Sequence, residues 1–291
     1  MAKIKKERTG VIRNFDMKSP GAKVALVIIY ILCVVIVVVS LFPIFWVIMA
    51  GFKELREFMV STAIFPQRFD FSVYSRTWSQ LNIFRNYTNS FYVIMGSLFC
   101  SLIFNGLLAY GIAILKPYGY KVISKMVMFT LLVPATISLV PLFINVTSLG
   151  LGGSFVPLWL AAGANAFFVV LFRQFFESLP FSLVEASRID GCSPAQTFFK
   201  VVMPLSKPIF IVVSIFTVNA AWSDFLLPFL ILRGSELETV MVRLFVFSTE
   251  QTVNVDDLMR AVVFSMIPPV LLFFIFQKWL TENIVTVGIK G

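Results

Sequence analysis

Histidine is absent from the 291 residues, so the side chain that most often moves protons near neutral pH, and most often ligates metals, is missing. The groups left to do chemistry gather in two places. One is the polar stretch "EASRIDGCSPAQTFFKVVMP", Glu185–Pro204, which sets Glu185, Arg188, Asp190 and Lys200 between apolar runs. The other is Asp224, with Asn219 and Trp222 just before it, inside an apolar run. Neither pairs a nucleophile with a base, which argues against a membrane enzyme. No G-x-x-x-x-G-K-[ST] sequence is present to cradle nucleotide phosphates, so any ATP hydrolysis belongs to another polypeptide. Cys33, Cys100 and Cys192 have no metal-like spacing. Cys33 and Cys100 lie in apolar runs, where cysteine behaves as a small hydrophobe, and no disulfide framework is implied. The chain is expected to bind no cofactor or metal of its own.

The elements that hold these groups are greasy. The chain is 58% hydrophobic, with 33 phenylalanines and 13% charged residues, about half the charge of a soluble chain. It reads as an all-α integral membrane protein in a lipid bilayer. Runs long enough to cross appear at about Val24–Gly51, Phe91–Leu115, Val122–Ile144, Phe155–Phe172, Pro208–Leu232 and Ala261–Trp279, six in all. The first follows a basic tail, as a signal peptide would, but is longer than such a segment and reads as a retained helix.

Lysine and arginine orient the spans. Sixteen of the 24 fall on one side: the N-terminal tail, the loops holding Lys116–Lys125 and Arg173–Lys207, and the C-terminal end. That side is read as cytoplasmic, with both termini and the Glu185–Pro204 hairpin. The net charge of +9 thus reflects topology rather than nucleic-acid binding. Of the two larger external loops, about Phe52–Ser90 and Arg233–Arg260, the first mixes Phe69, Phe71, Tyr74 and Trp78 with charges. It reads equally as a folded cap or as a solvated loop.

Within the bundle, Ser97, Ser101, Asn105 and Ala109 recur every four residues. Such a stripe lets helices approach closely; packing is its default meaning and a polar path the minority one. Pro43, Pro134, Pro141, Pro228, Pro268 and Pro269 are expected to bend their helices. Asp224 is the one acid placed inside a span, in its outer half. It reads either as a functional carboxylate or as an interfacial one capped by Ser223 or Trp222.

The hairpin is well punctuated. Ser182-Leu183-Val184-Glu185 has the form of a capping box, and Gly191 suits the left-handed residue after a helix. Ser193-Pro194-Ala195-Gln196 starts a second helix, and Pro204 is expected to end it. Two short helices follow, with Asp190 and Gly191 at the tip. Composition alone leaves open an amphipathic hairpin lying on the bilayer.

This hairpin closely resembles the EAA loop of bacterial ABC importer permeases, E-A-A-x3-G-x9-I-x-L-P. Glu185, Ala186, Gly191 and Pro204 match in register, while Ser187, Val201 and Met203 replace the second alanine, the isoleucine and the leucine. "DGCSPAQTFFKVVMPLSKP", "WSDFLLPF" and "VGIKG" are similar to carbohydrate importer permeases, particularly the six-span, maltose-type subunit. The resemblance covers nearly the whole chain after the first helix. It implies a MetI-like type I importer fold and a second permease subunit. It also implies an ATPase dimer holding ATP and Mg, an extracytoplasmic solute-binding protein, a carbohydrate substrate and a bacterial inner-membrane location. Glu185, Ala186, Ser187, Asp190, Gly191 and Pro204 would couple to the ATPase, and Gly288, Lys290 and Gly291 would reach it from the tail. Asn219, Trp222 and Asp224 would serve the substrate path or the external gate, the gate favoured because the family's sugar contacts lie chiefly in the other permease.

The implied divisions are a basic tail (1–23), a first helix (24–51), an external loop (52–90), a permease core (87–280) containing the coupling loop (181–204), and a C-terminal tail (281–291). A permease for a non-sugar solute is the nearest alternative. An ion-coupled secondary transporter is more distant, since it would need several intramembrane ionisable groups or an inverted repeat.

Overall fold

The computed structural model describes residues 20–250 and 253–288, and among them every regular element is helical. Three expected spans are unbroken: α1 (Pro20–Gly51), α4 (Ile83–Leu115) and α14 (Val255–Gly288). Two short helices, α2 (Leu55–Val60) and α3 (Ser72–Leu81), fold the loop after α1. There Phe52 packs edge-on against Phe69, Phe71 and Tyr74 at centroid distances of 5.3, 5.2 and 4.8 Å, so this segment is a folded cap.

The other three expected spans are interrupted. The third divides into α5 (Tyr120–Thr130) and α6 (Leu139–Ser148), with a turn and a 3₁₀ segment, Ala135–Ser138, between them. The fourth is α7 (Val156–Gly163) and α8 (Ala166–Glu177), bent by 41°. The fifth is α11 (Lys207–Ser223) and α12 (Leu226–Leu232), parted at Asp224. Between α8 and α11 lie α9 (Phe181–Ile189) and α10 (Pro194–Leu205), the latter meeting α11 at 84°. A last short helix, α13 (Val240–Thr249), precedes α14.

Prolines account for only part of this. Pro134 lies at the break before α6, where its missing N–H does no harm. Yet Pro268 and Pro269 sit within an unbroken α14, and Pro43 within α1. The fourth span breaks instead at Asn165, whose side chain caps α8 by accepting from Phe168 N. Asn105 completes this joint: its Nδ2 donates to Ala162 O (3.0 Å) and its Oδ1 accepts from Asn165 N (3.0 Å).

Packing uses small residues, as it must where lipid is as apolar as leucine. Ser97, Ser101, Asn105 and Ala109 are all at most 2% exposed. Ser101 shares a 2.9 Å hydrogen bond with Thr217 of α11. A Cβ on Gly96 would fall 2.2 Å from the Trp159 indole. Packing is therefore what the stripe does.

Three core clusters stack along the bundle. At one end Leu81, Ile83, Phe247, Ala261 and Phe264 gather; in the middle, Val93, Val146, Leu158 and Ile231; at the other end, Tyr110, Phe172, Phe176, Phe198 and Phe210. The α9–α10 hairpin is seated on that last cluster.

Candidate functional site

The hairpin closes by hydrogen bonds that its sequence dictates. After α9, Gly191 adopts φ +78°, its N–H donates to Arg188 O (3.0 Å), and Cys192 N–H donates to Ser187 O (3.0 Å). This is a Schellman ending, which only glycine enters without strain. Ser193 and Gln196 form the expected capping box: Gln196 N donates to Ser193 Oγ (3.3 Å) and Ser193 N to Gln196 Oε1 (2.9 Å).

Two expectations fail here. The Ser182–Glu185 box does not form; α9 starts two residues earlier with Pro180 as its cap, which places Ser182 inside the first turn. Nor does Pro204 end its helix. A π turn at Phe198–Val202 lets Met203 N–H reach Phe198 O, and α10 runs on through Pro204 to Leu205. The wider turn shifts the hydrogen-bond register past the residue that has no donor.

The inner face of the hairpin is locked to the bundle. Val184, Phe198 and Val202 are buried in the end cluster, and Tyr110 Oη of α4 donates to Pro194 O (3.1 Å). Ser187 donates to Val184 O (2.7 Å) and shares a 3.1 Å hydrogen bond with Thr197 Oγ1 across the two helices. The serine that departs from the EAA pattern thus pins the hairpin shut. Because bundle residues cover this apolar face, a hairpin floating on the bilayer is not the arrangement found. The outer face exposes Glu185, Ala186, Asp190 and Gly191, and Ile189 stands 86% exposed among them. Pro204 is also exposed.

The second group does not form one site. Trp222 is buried, donates to Ser265 O of α14 (3.2 Å) and stacks on Tyr87 at 5.8 Å. It is a brace between helices. Asn219 is exposed and shares with Trp222 a cleft of about 160 Å³ against Pro269 and Phe273. Asp224 faces elsewhere, into a cavity of about 760 Å³ bounded by α6, α7 and α12. The backbone N–H groups of Phe225, Leu226 and Leu227 turn toward its carboxylate, rather than Ser223 or Trp222.

At the opposite end of the bundle lies a cluster the sequence reading missed. Arg260, 5% exposed, donates to Asp256 Oδ2 (2.9 Å), Asp257 Oδ1 (2.6 Å), Gly51 O (2.8 Å) and Lys53 O (3.1 Å). Thr77 Oγ1 of α3 donates to Asp257 Oδ1 (3.0 Å), and buried Lys53 donates to Ala63 O. Beside it Tyr74 donates to Ile48 O (3.0 Å), and burial pushes its phenol pKa up to about 12, which keeps it a donor. Arg260 and Lys53 read as loop cations by sequence. The signal available was Asp256 and Asp257 in a helix's first turn with an arginine three and four residues on.

The tail residues of the sequence reading are only partly described. Helix α14 continues to Gly288, beyond the apolar stretch Val255–Gln277 that is long enough to cross a membrane. Lys290 and Gly291 lie outside the described residues.

Residues 103–286, which hold both the hairpin and the Asp224 cavity, match the family described as binding-protein-dependent transport system inner membrane component. The chain belongs to this family. Among its relatives, it is 27% identical over 277 residues to the arabinooligosaccharides transport system permease protein of Bacillus subtilis, covering 94% of this chain and 99% of that one. It is 28% identical over 251 residues to the diacetylchitobiose uptake system permease protein of Streptomyces coelicolor, covering 85% and 83%. The fold is shared with a solved bacterial ABC transporter involved in import of the acidic polysaccharide alginate. That comparison has a TM-score of 0.79 at 24% identity, over 89% of this chain and 98% of that one. As an inner membrane component of a transport system, the chain is a transport subunit rather than an enzyme.

Proposed function

We propose that the chain is one permease subunit of an ATP-driven, binding-protein-dependent carbohydrate importer in the bacterial cytoplasmic membrane, with both termini cytoplasmic. The observation that carries this reading is the hairpin: its inner face is fixed to the bundle while its outer face offers two carboxylates and an exposed isoleucine. Glu185 and Asp190 make no ion pair among the described residues, so a partner can claim both. The fitting partner is an ATPase dimer, which would hold ATP and Mg. A second permease would complete the path, and a solute-binding protein would deliver sugar at the capped end. Closure of the ATPase dimer would move the hairpin, and the Phe172–Phe198–Phe210 cluster would pass that movement to α4, α8 and α11. Both relatives named above carry the names of carbohydrate permeases, which favours a sugar over a non-sugar solute.

Reconstitution with the cognate partners tests this. Uptake of labelled arabino-oligosaccharide is expected only when the ATPase, ATP and binding protein are all present. Uptake driven by an ion gradient without the ATPase would overturn the proposal.

The tail supports a second expected outcome. Deleting Val287–Gly291 is expected to leave insertion intact and to lower ATPase stimulation by loaded binding protein about twofold or more, since the tail would touch the ATPase. An unchanged response would leave those residues no regulatory part.

A further inference from the structure

Three of the chain's helix breaks meet at one cavity. Thr136 and Ser138 come from the 3₁₀ segment between α5 and α6, Ala164 from the break between α7 and α8, and Asp224 from the break between α11 and α12. Non-helical backbone at membrane depth is tolerated where protein buries it or where it lines a water-filled cavity. Here the breaks border an open groove of about 760 Å³, within the range of small-molecule sites, with Thr136, Ser138, Ala164 and Asp224 all on its exposed rim. Most of its wall is aliphatic, including Leu142 and Leu160, and Asp224 is the single charged side chain among the described residues that line it.

We propose that this cavity is a solute site on the transport path, that Asp224 accepts hydrogen bonds there from uncharged, hydroxyl-rich molecules, and that its charge turns anionic solutes away. The proposal rests on the importer reading above and adds the substrate's charge class. An ionised carboxylate is acceptor-only and can take two hydroxyl donors at once, while aliphatic walls suit the C–H faces of a sugar ring. No lysine or arginine among the described residues lines the space, so a uronate or phosphate would meet like charge with no counter-ion there.

Charged thiol reagents read the potential directly. Cys33, Cys100 and Cys192 are replaced by alanine, and Leu142→Cys or, as a second reporter, Leu160→Cys is introduced. The assembled importer in membrane vesicles is then labelled with cationic and anionic methanethiosulfonates of similar size. With Asp224 present, the cation-to-anion rate ratio is expected to be about tenfold higher than with Asp224→Asn. Neutral arabinotriose is expected to slow labelling, and a trigalacturonate is not. Equal ratios in the two proteins, protection by both sugars alike, or failure of both reagents at both positions would overturn the site. A ratio that depends on Asp224, with no protection by either sugar, would support the charge filter and count against the carbohydrate reading instead.

Discussion

Replacing Arg260 by methionine is expected to destabilise the protein by about 3–5 kcal/mol, because it strands two carboxylates in a buried cluster. Asp256 is itself buried, and its Oδ1 already has no partner. Without the guanidinium, Oδ2 loses its donor, Asp257 keeps only Thr77, and the carbonyls of Gly51 and Lys53 lose theirs. A lysine cannot substitute, since four acceptors, two backbone carbonyls and two side-chain carboxylates, need the forked donors of arginine. The detergent melting temperature should fall by roughly 10 °C. Combining Arg260→Met with Asp256→Asn and Asp257→Asn should recover part of the loss, as expected for residues in one network. A melting temperature within a degree of the parent, or a triple variant no better than the single one, would show that the cluster is not holding this end.

This cluster also marks where sequence reasoning ran out. Counting basic residues placed Arg260 outside and treated it as a topology marker, when it ties the end of α1 to the start of α14. The pairing is long-range: Gly51 lies 209 residues from Arg260, and no local pattern announces its carbonyl as the acceptor. Local punctuation was more readable. Ser193, Gln196 and Gly191 behave as their spacing implies, because caps are settled within four residues. Ser182 had the same spacing but lost to Pro180, which starts the helix two residues sooner. The six apolar runs were legible as runs, yet their interruptions were not. Prolines drew attention to Pro268 and Pro269, which α14 absorbs, whereas the fourth span breaks at Asn165. That break is supported by Asn105, 60 residues away, which a reading of one segment at a time does not see. For the same reason Asn219, Trp222 and Asp224 looked like one site. Neighbours along a helix point in different directions, and a break at Asp224 sends its carboxylate to another cavity.

Glu185→Lys and Gly191→Pro are expected to leave the protein in the membrane at normal levels while lowering ATP-driven uptake about tenfold or more, the loss typical of a contact at the centre of a docking surface. They act in different ways. Glu185 is exposed on the outer face of α9, so reversing its charge leaves the Val184–Phe198 packing intact and changes only what a partner meets. Gly191 stands at φ +78°, which proline, held near −65°, cannot adopt. The substitution also removes the N–H that reaches Arg188 O, so the tip carrying Asp190 must move. Gly191→Ala separates shape from space. No heavy atom lies within 4 Å of the Cβ it would add, so its penalty is only the roughly 1–2 kcal/mol of a left-handed residue. It should give a partial defect. The ATPase should co-purify poorly with Glu185→Lys and Gly191→Pro, and better with Gly191→Ala. If all three variants retain the ATPase and transport at parental rates, the hairpin is a structural support of the α4–α8 end and the coupling surface lies elsewhere.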